Sequence, residues 1–200
     1  MLLKAAETAK CTDELILAVS ELLKLNWNVE SEVIQRCKDA VDKKSTLPQD
    51  AQYFFVCLAW SKYYQEDFKE CYQILETKVP ISGNVSKSVM LVQAEAFYIR
   101  SLLAMVPPEM HPTVSSNENG PAQMAFKSAL ASIGSYKAYV SITNKKGFDF
   151  YGQEWHVLSL LVISCVNLSR IYMYSALPRE ARFFLKEALN ATQKHVVILR

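Results

Sequence analysis

The stretch RIYMYSALPREARFFLKEALNATQ (Arg170–Gln193) decides how the chain reads. Pro178 marks a turn, and apolar residues recur at helical spacing on both sides of it. Upstream of the turn, Leu168 and Ser169 precede Tyr172, so a small residue admits a close neighbour and the ring fills the space beside it. Downstream, Ala181, Leu185 and Ala188 recur at four and three residues, a stripe with small residues at the contact points. This is the pattern of two antiparallel helices packed as a hairpin.

The same periodicity extends outward over nearly the whole chain, and convincing strand alternation appears nowhere. TDELILAVSELLKL carries Leu15, Val19, Leu22 and Leu23 on one face, behind Thr12 as a candidate N-cap. ESEVIQRCKDAVDKK groups Val33, Ile34, Cys37 and Val41. In DAQYFFVCLAWSKYYQ the aromatics are dense enough to predict a helix packed on more than one side. A short QED link joins it to FKECYQILETKV, which implies another antiparallel pair. A long helix over about Val85–Val106 stops at Pro107 and Pro108. The polar, breaker-rich PPEMHPTVSSNENG predicts a mobile loop over 107–120. Pro121 opens a helix with Ala125, Ala129 and Ala131 as its small residues, and two last helices follow a second loop, TNKKGFDFYG. The expectation is an all-α chain of about eight helices in antiparallel hairpins, one domain over residues 1–200.

Composition agrees. Half the residues are hydrophobic, and 5 Gly and 7 Pro are few for a many-turned β fold. The 22 basic and 20 acidic residues are interspersed, so no charge footprint for nucleic acid appears. The five cysteines, Cys11, Cys37, Cys57, Cys71 and Cys165, form no CxxC pair and mostly occupy apolar helical faces. They read as reduced core residues of an intracellular protein. SLLVISCVNL, the most apolar run, is roughly half the length needed to span a bilayer. MLLKAAETAK lacks the h-region and cleavage site of a secretory signal. A chain of the cytoplasm and nucleus, with no membrane partner, is expected.

The closing hairpin resembles a tetratricopeptide repeat (TPR), with a Leu–small–Tyr signature on its first helix and Ala–large–Ala on its second. It departs from that pattern at Cys165, where Trp is usual, and lacks a closing Pro. Leu58, Ala59, Cys71 and Leu75 repeat the pattern more weakly, with Lys62 in the Tyr place. The two units lie 110 residues apart (Ala59 to Ser169), which is not a multiple of the usual repeat length, so an irregular TPR-like repeat or solenoid is expected. A non-repetitive helical bundle is the alternative.

A narrower resemblance lies in the last fifty residues. EWHVLSLLVISCVNLSRIYMYSALPREARFFLKEALNATQKHVVILR is similar to the helical region in the N-terminal half of separases. The matching positions are Trp155, Val157, Leu158 and Ser159, then Glu180, Ala181, Phe184, Glu187, Ala188 and Leu189. Separase is the cysteine protease that cuts the cohesin kleisin at anaphase and is inhibited by securin. Its caspase-like catalytic domain lies at the far C-terminus. The resemblance implies that this chain belongs to the regulatory, non-catalytic part, helping to form the surface that securin occupies and to hold the protease domain. An unrelated TPR-like adaptor subunit of a large assembly is the alternative. A small helical enzyme or lipid carrier using the aromatic cluster of Tyr53–Tyr64 is a third reading.

The residues themselves propose no chemistry. His156 and Cys165 fall nine residues apart on one predicted helix, which at about 100° per residue sets them on opposite faces. His111 and His195 have no partner in sequence. No Cys or His pair has zinc-ligand spacing, and SGN and NGP are turns with no phosphate-loop pattern. Asp13/Glu14 and Glu30/Glu32 sit at helix starts, where the dipole accounts for them. No catalytic residue, cofactor or metal is expected, and Ser115 and Ser116 are ordinary loop serines.

Surplus apolar side chains are a different matter. Phe183 and Phe184 are adjacent, so one must leave the stripe of Ala181, Leu185 and Ala188. Tyr172 and Tyr174 show the same excess beside Met173. These four aromatics are the candidate contacts for a protein partner or a neighbouring repeat.

Overall fold

The computed structural model describes residues 12–42, 49–79, 87–107, 110, 120–143 and 153–196. Apart from Pro107, Met110 and Gly120, the loop expected over 107–120 lies outside them, as do Cys11 and His111. Among the described residues the secondary structure is helical throughout, in eight helices. They are α1 (Thr12–Lys24), α2 (Ser31–Asp42), α3 (Gln49–Tyr64), α4 (Phe68–Lys78), α5 (Lys87–Leu103), α6 (Gly120–Thr143), α7 (Gln153–Tyr174) and α8 (Pro178–Val196). The all-α expectation holds. The sequence suggests one uninterrupted domain, whereas the helices gather into two compact units, Met1–Asn84 and Val85–Arg200.

In the first unit α1 packs on α2 and α3, and α3 on α4. The middle of the aromatic helix α3 is enclosed on all sides, with Phe54, Phe55, Val56, Cys57, Leu58 and Ala59 buried, while Tyr64 at its end is exposed. The enclosed apolar residues point every way round, as a stretch without a solvent face requires. Tyr53 reaches α1, donating its hydroxyl to Glu21 Oε1 at 2.9 Å and accepting from Lys24 Nζ at 3.3 Å.

In the second unit α5 packs on α6, α6 on α7 and α7 on α8. The close approach at α6 uses Ala125, Ala129, Ser132, Ile133 and Tyr136, all buried. Ala131, expected in that stripe, is half-buried, and Ser132 takes the contact place. A polar seam crosses this core. Asn167 Nδ2 donates to Ser101 Oγ at 2.9 Å, Ser101 Oγ donates to Tyr98 O at 2.7 Å, and Ser132 Oγ donates to Ala94 O at 3.0 Å. Ser132 and Ser164 hydroxyls meet at 3.2 Å. Satisfied buried groups of this kind fix register between helices.

The apolar run in α7 is longer than SLLVISCVNL. Val157–Tyr174 has a mean hydropathy of 1.6 over 18 residues, enough by length and composition alone to cross a membrane. Half of it is buried against other helices, and Asn167 and Ser164 are hydrogen-bonded within that packing. Those are the features of a core helix.

Candidate functional site

One turn recurs in both units. After α3, Glu66 adopts φ 61°, Glu66 N bonds Tyr63 O and Asp67 N bonds Lys62 O. After α7, Ala176 adopts φ 57°, Ala176 N bonds Met173 O and Leu177 N bonds Tyr172 O. Both are Schellman turns whose left-handed residue is not glycine, and Asn26 after α1 (φ 55°) forms a third, with Asn26 N bonding Leu23 O and Trp27 N bonding Leu22 O. Asp67 then caps α4, its Oδ1 accepting from Glu70 N at 3.1 Å. Aligned on these turns, the hairpins α3–α4 and α7–α8 keep the offset of 110 residues at every position.

The alignment shows where the expected packing residues lie. Leu58, Ala59 and Cys71 are buried, as are Leu168, Ser169, Ala181 and Ala188. Leu185 departs from the expectation. A spacing of four residues sets it about 40° round the helix from Ala181, at the margin of the contact, and nothing covers that margin among the described residues. Val56, Leu75 and Val79 are 0%, 0% and 1% exposed, while their equivalents Val166, Leu185 and Leu189 are 38%, 48% and 55% exposed. The same face is closed on one hairpin and open on the other.

The four candidate aromatics divide. Tyr172 stacks on Phe184 with centroids 5.5 Å apart and planes 10° from parallel, and also meets Phe126 of α6 at 4.7 Å. These two therefore join α7, α8 and α6 and leave little ring surface for a partner. Phe183 packs edge-on to Phe184 at 5.2 Å but remains 57% exposed, and Tyr174 is 77% exposed.

The open face can be located from its neighbours. On α8, Phe184 and Glu187 flank the Ala181–Ala188 line on one side. Glu187 pairs with Lys137 of α6, so that side looks toward α6. Leu185 and Leu189 flank the other side. On α7, Ser164 points at α6, and Val166, Arg170 and Met173 run along the opposite surface with Ile163 beside them. Both helices thus present their uncovered apolar residues on the side of the hairpin away from α6. Sequence reading missed Ile163, Val166, Met173 and Leu189 because periodicity marks them as core. Only their exposure distinguishes them.

Cationic side chains border this face. Arg170 lies on the α7 line, and Arg179, Arg182 and Lys186 lie on α8 next to Leu185 and Leu189, all exposed. Glu180 and Glu187 occupy the other flank of α8. Among the described residues none of the four cations has an acidic partner.

The thiols are unsuited to attack. Burial pushes Cys71 up to about 12 and Cys37 and Cys165 to about 11, so all stay protonated near neutrality. Cys57 is also buried and forms no disulfide. Burial, followed by the nearby Glu95 carboxylate, raises the Tyr136 phenol well above its ordinary value. Among the described residues no His, Cys, Asp and Glu side chains converge as a metal site. A cleft of the first unit, about 200 Å³, is lined by Lys38, Asp42, Glu70, Lys78 and the Phe55 ring. Its ion pairs Lys38–Glu70 at 3.7 Å and Lys78–Asp42 at 2.7 Å tie α2 to α4.

No family model, curated protein or solved structure matches this chain.

Proposed function

We propose that this chain is a protein-binding helical scaffold, the regulatory helical region of a separase, and that it contributes to holding securin. The observation that carries the scaffold reading is the open apolar face of α7–α8, where Val166, Leu185 and Leu189 are exposed while their counterparts Val56, Leu75 and Val79 on α3–α4 are buried. Contiguous uncovered apolar surface on an otherwise well-packed helical hairpin suits contact with another polypeptide. The separase and securin assignment rests on the residues Trp155–Ser159 and Glu180–Leu189, which resemble that family, and it places the protein in the cytoplasm and nucleus. On this reading the chain makes and breaks no bond itself; the proteolysis belongs to a catalytic domain elsewhere in the parent protein.

The test is calorimetric titration of the folded chain with securin from the same source. Saturable binding by a chain that melts cooperatively is the expected result. Absence of heat from a chain that melts cooperatively would contradict the securin assignment.

A further inference from the structure

We infer that the open side of α7–α8 is a docking groove for an amphipathic α-helix whose apolar stripe is flanked by acidic residues. This rests on the scaffold reading above and adds the chemistry of the partner. Three observations converge on it.

The first is shape. Leu185 and Leu189 on α8, and Val166 and Met173 on α7, line one side of an antiparallel helix pair. The furrow between two such helices accepts a third by interdigitating ridges, with anchors at i, i+3 or i+4, and i+7. The second is the internal comparison. Val56, Leu75 and Val79 occupy the same places on a hairpin with the same turn, and there all three are covered. Val166, Leu185 and Leu189, left partly in water, forgo burial that Val56, Leu75 and Val79 obtain, and only Met173 has an equivalent, Tyr63, that is itself half-buried.

The third is charge, and it selects the occupant. Arg170, Arg179, Arg182 and Lys186 border the groove, whereas the acidic residues of α8 lie on the far flank. At the corresponding places the closed hairpin carries Trp60, Lys69, Tyr72 and Glu76, so the basic rim belongs to the open face alone. Four cations without acidic partners among the described residues attract carboxylates and repel a basic helix. A second copy of this hairpin would bring the same positive rim against itself, which argues against self-association through this face.

The test uses the full chain and a labelled synthetic helical peptide of about 18 residues, roughly five turns, with Leu anchors flanked by Glu. A twin peptide has Lys at every Glu position. Fluorescence anisotropy should show saturable binding of the Glu peptide and none of the Lys twin. Raising salt from about 0.1 M to about 1 M, which shrinks the Debye length from about 10 Å to about 3 Å, should weaken it at least about tenfold. Leu185→Asn with Leu189→Asn should weaken it about tenfold or more, and Arg182→Glu with Lys186→Glu comparably, each with an unchanged melt. Because these side chains are exposed, folding should survive the changes, and circular dichroism checks this.

Equal binding of both peptides, or indifference to all four substitutions, would overturn the proposal. So would a dimer of the free chain by light scattering that the two Asn changes abolish, since the occupant would then be a second copy. Securin bound with no response to the groove variants would leave the scaffold reading standing and overturn the groove. Failure of securin, with the acidic peptide still bound and sensitive to the variants, would do the reverse.

Discussion

The hairpins α3–α4 and α7–α8 share a turn, a register and a contact line of small residues, yet they live in different surroundings. In the first, the middle of α3 is buried all round, and Leu75 and Val79 are covered on α4. In the second, α7 buries one side, and α8 touches it through Ala181, Phe184 and Ala188 while its leucines face solvent. A repeat motif specifies how two helices meet. It does not specify what lies on their outer side, and that outer side is where two copies of one motif can take up different tasks.

The largest effect that would break this comparison is a truncation made at one equivalent position in each hairpin. Leu75→Ala should cost about 2–5 kcal/mol through lost burial and an unfilled cavity. Leu185→Ala should cost less than about 1 kcal/mol, as expected for a half-exposed side chain. Urea unfolding of the two variants measures the gap, and equal costs would mean that the two faces are equally covered.

Next in size is the polar seam that the second unit uses in its core. Asn167→Ala removes the donor to Ser101 and leaves a buried hydroxyl without its incoming bond, which should cost about 1–3 kcal/mol. Asn167→Leu should not recover this, because the Ser101 hydroxyl stays unmatched. Urea midpoints for the two variants, read beside the native chain, provide the check.

The two hairpins should behave alike toward alkali. Cys71 and Cys165 are both buried with raised folded pKa values, so the native state keeps protons that the unfolded chain releases. Their contribution to stability is complete below the ordinary thiol value of 9.0 and is lost as pH rises toward about 11 to 12. Unfolding free energies from urea titrations at pH about 8 and about 10 should differ by about 1 kcal/mol per thiol, the value of roughly one pH unit above the unfolded pKa. Replacing either cysteine with Ala should flatten that decline.

The smallest effect lies in the shared turn. Glu66 and Ala176 hold left-handed backbone that costs an L-residue about 1–2 kcal/mol, whereas glycine adopts it freely and gives back about 0.5–1 kcal/mol in unfolded-chain entropy. Glu66→Gly and Ala176→Gly should therefore each raise stability by up to about 1 kcal/mol, read from the urea midpoint. Destabilisation by either would show that the turn depends on its side chain.

Helices and hairpin pairing were legible in sequence because apolar spacing, Pro positions and short links act locally. The small residues Ser169, Ala181 and Ala188 could be assigned to the contact because a close helix approach tolerates little else there. The turns were legible in position but not in conformation, since Glu66 and Ala176 carry no glycine signal. Helical spacing puts Leu185 in the core because it cannot separate a covered margin from an uncovered one. Met173, Val166 and Leu189 were hidden for the same reason: an apolar residue at helical period reads as core wherever it ends up. The division at Asn84 and Val85 follows the breakers Pro80 and Gly83, but other loops of the chain carry breakers too, so nothing in composition sets this one apart as a boundary.

The most direct measurement is thiol trapping at a Leu185→Cys position, read residue by residue by mass spectrometry, without and with the acidic helical peptide at saturation. An open docking face predicts rapid modification of the new thiol in the free chain, slow modification of buried Cys71 and Cys165, and protection of the new thiol once the peptide is bound. Slow modification in the free chain would show that the face is already covered. Rapid modification that persists at saturation would show that the helix binds somewhere else.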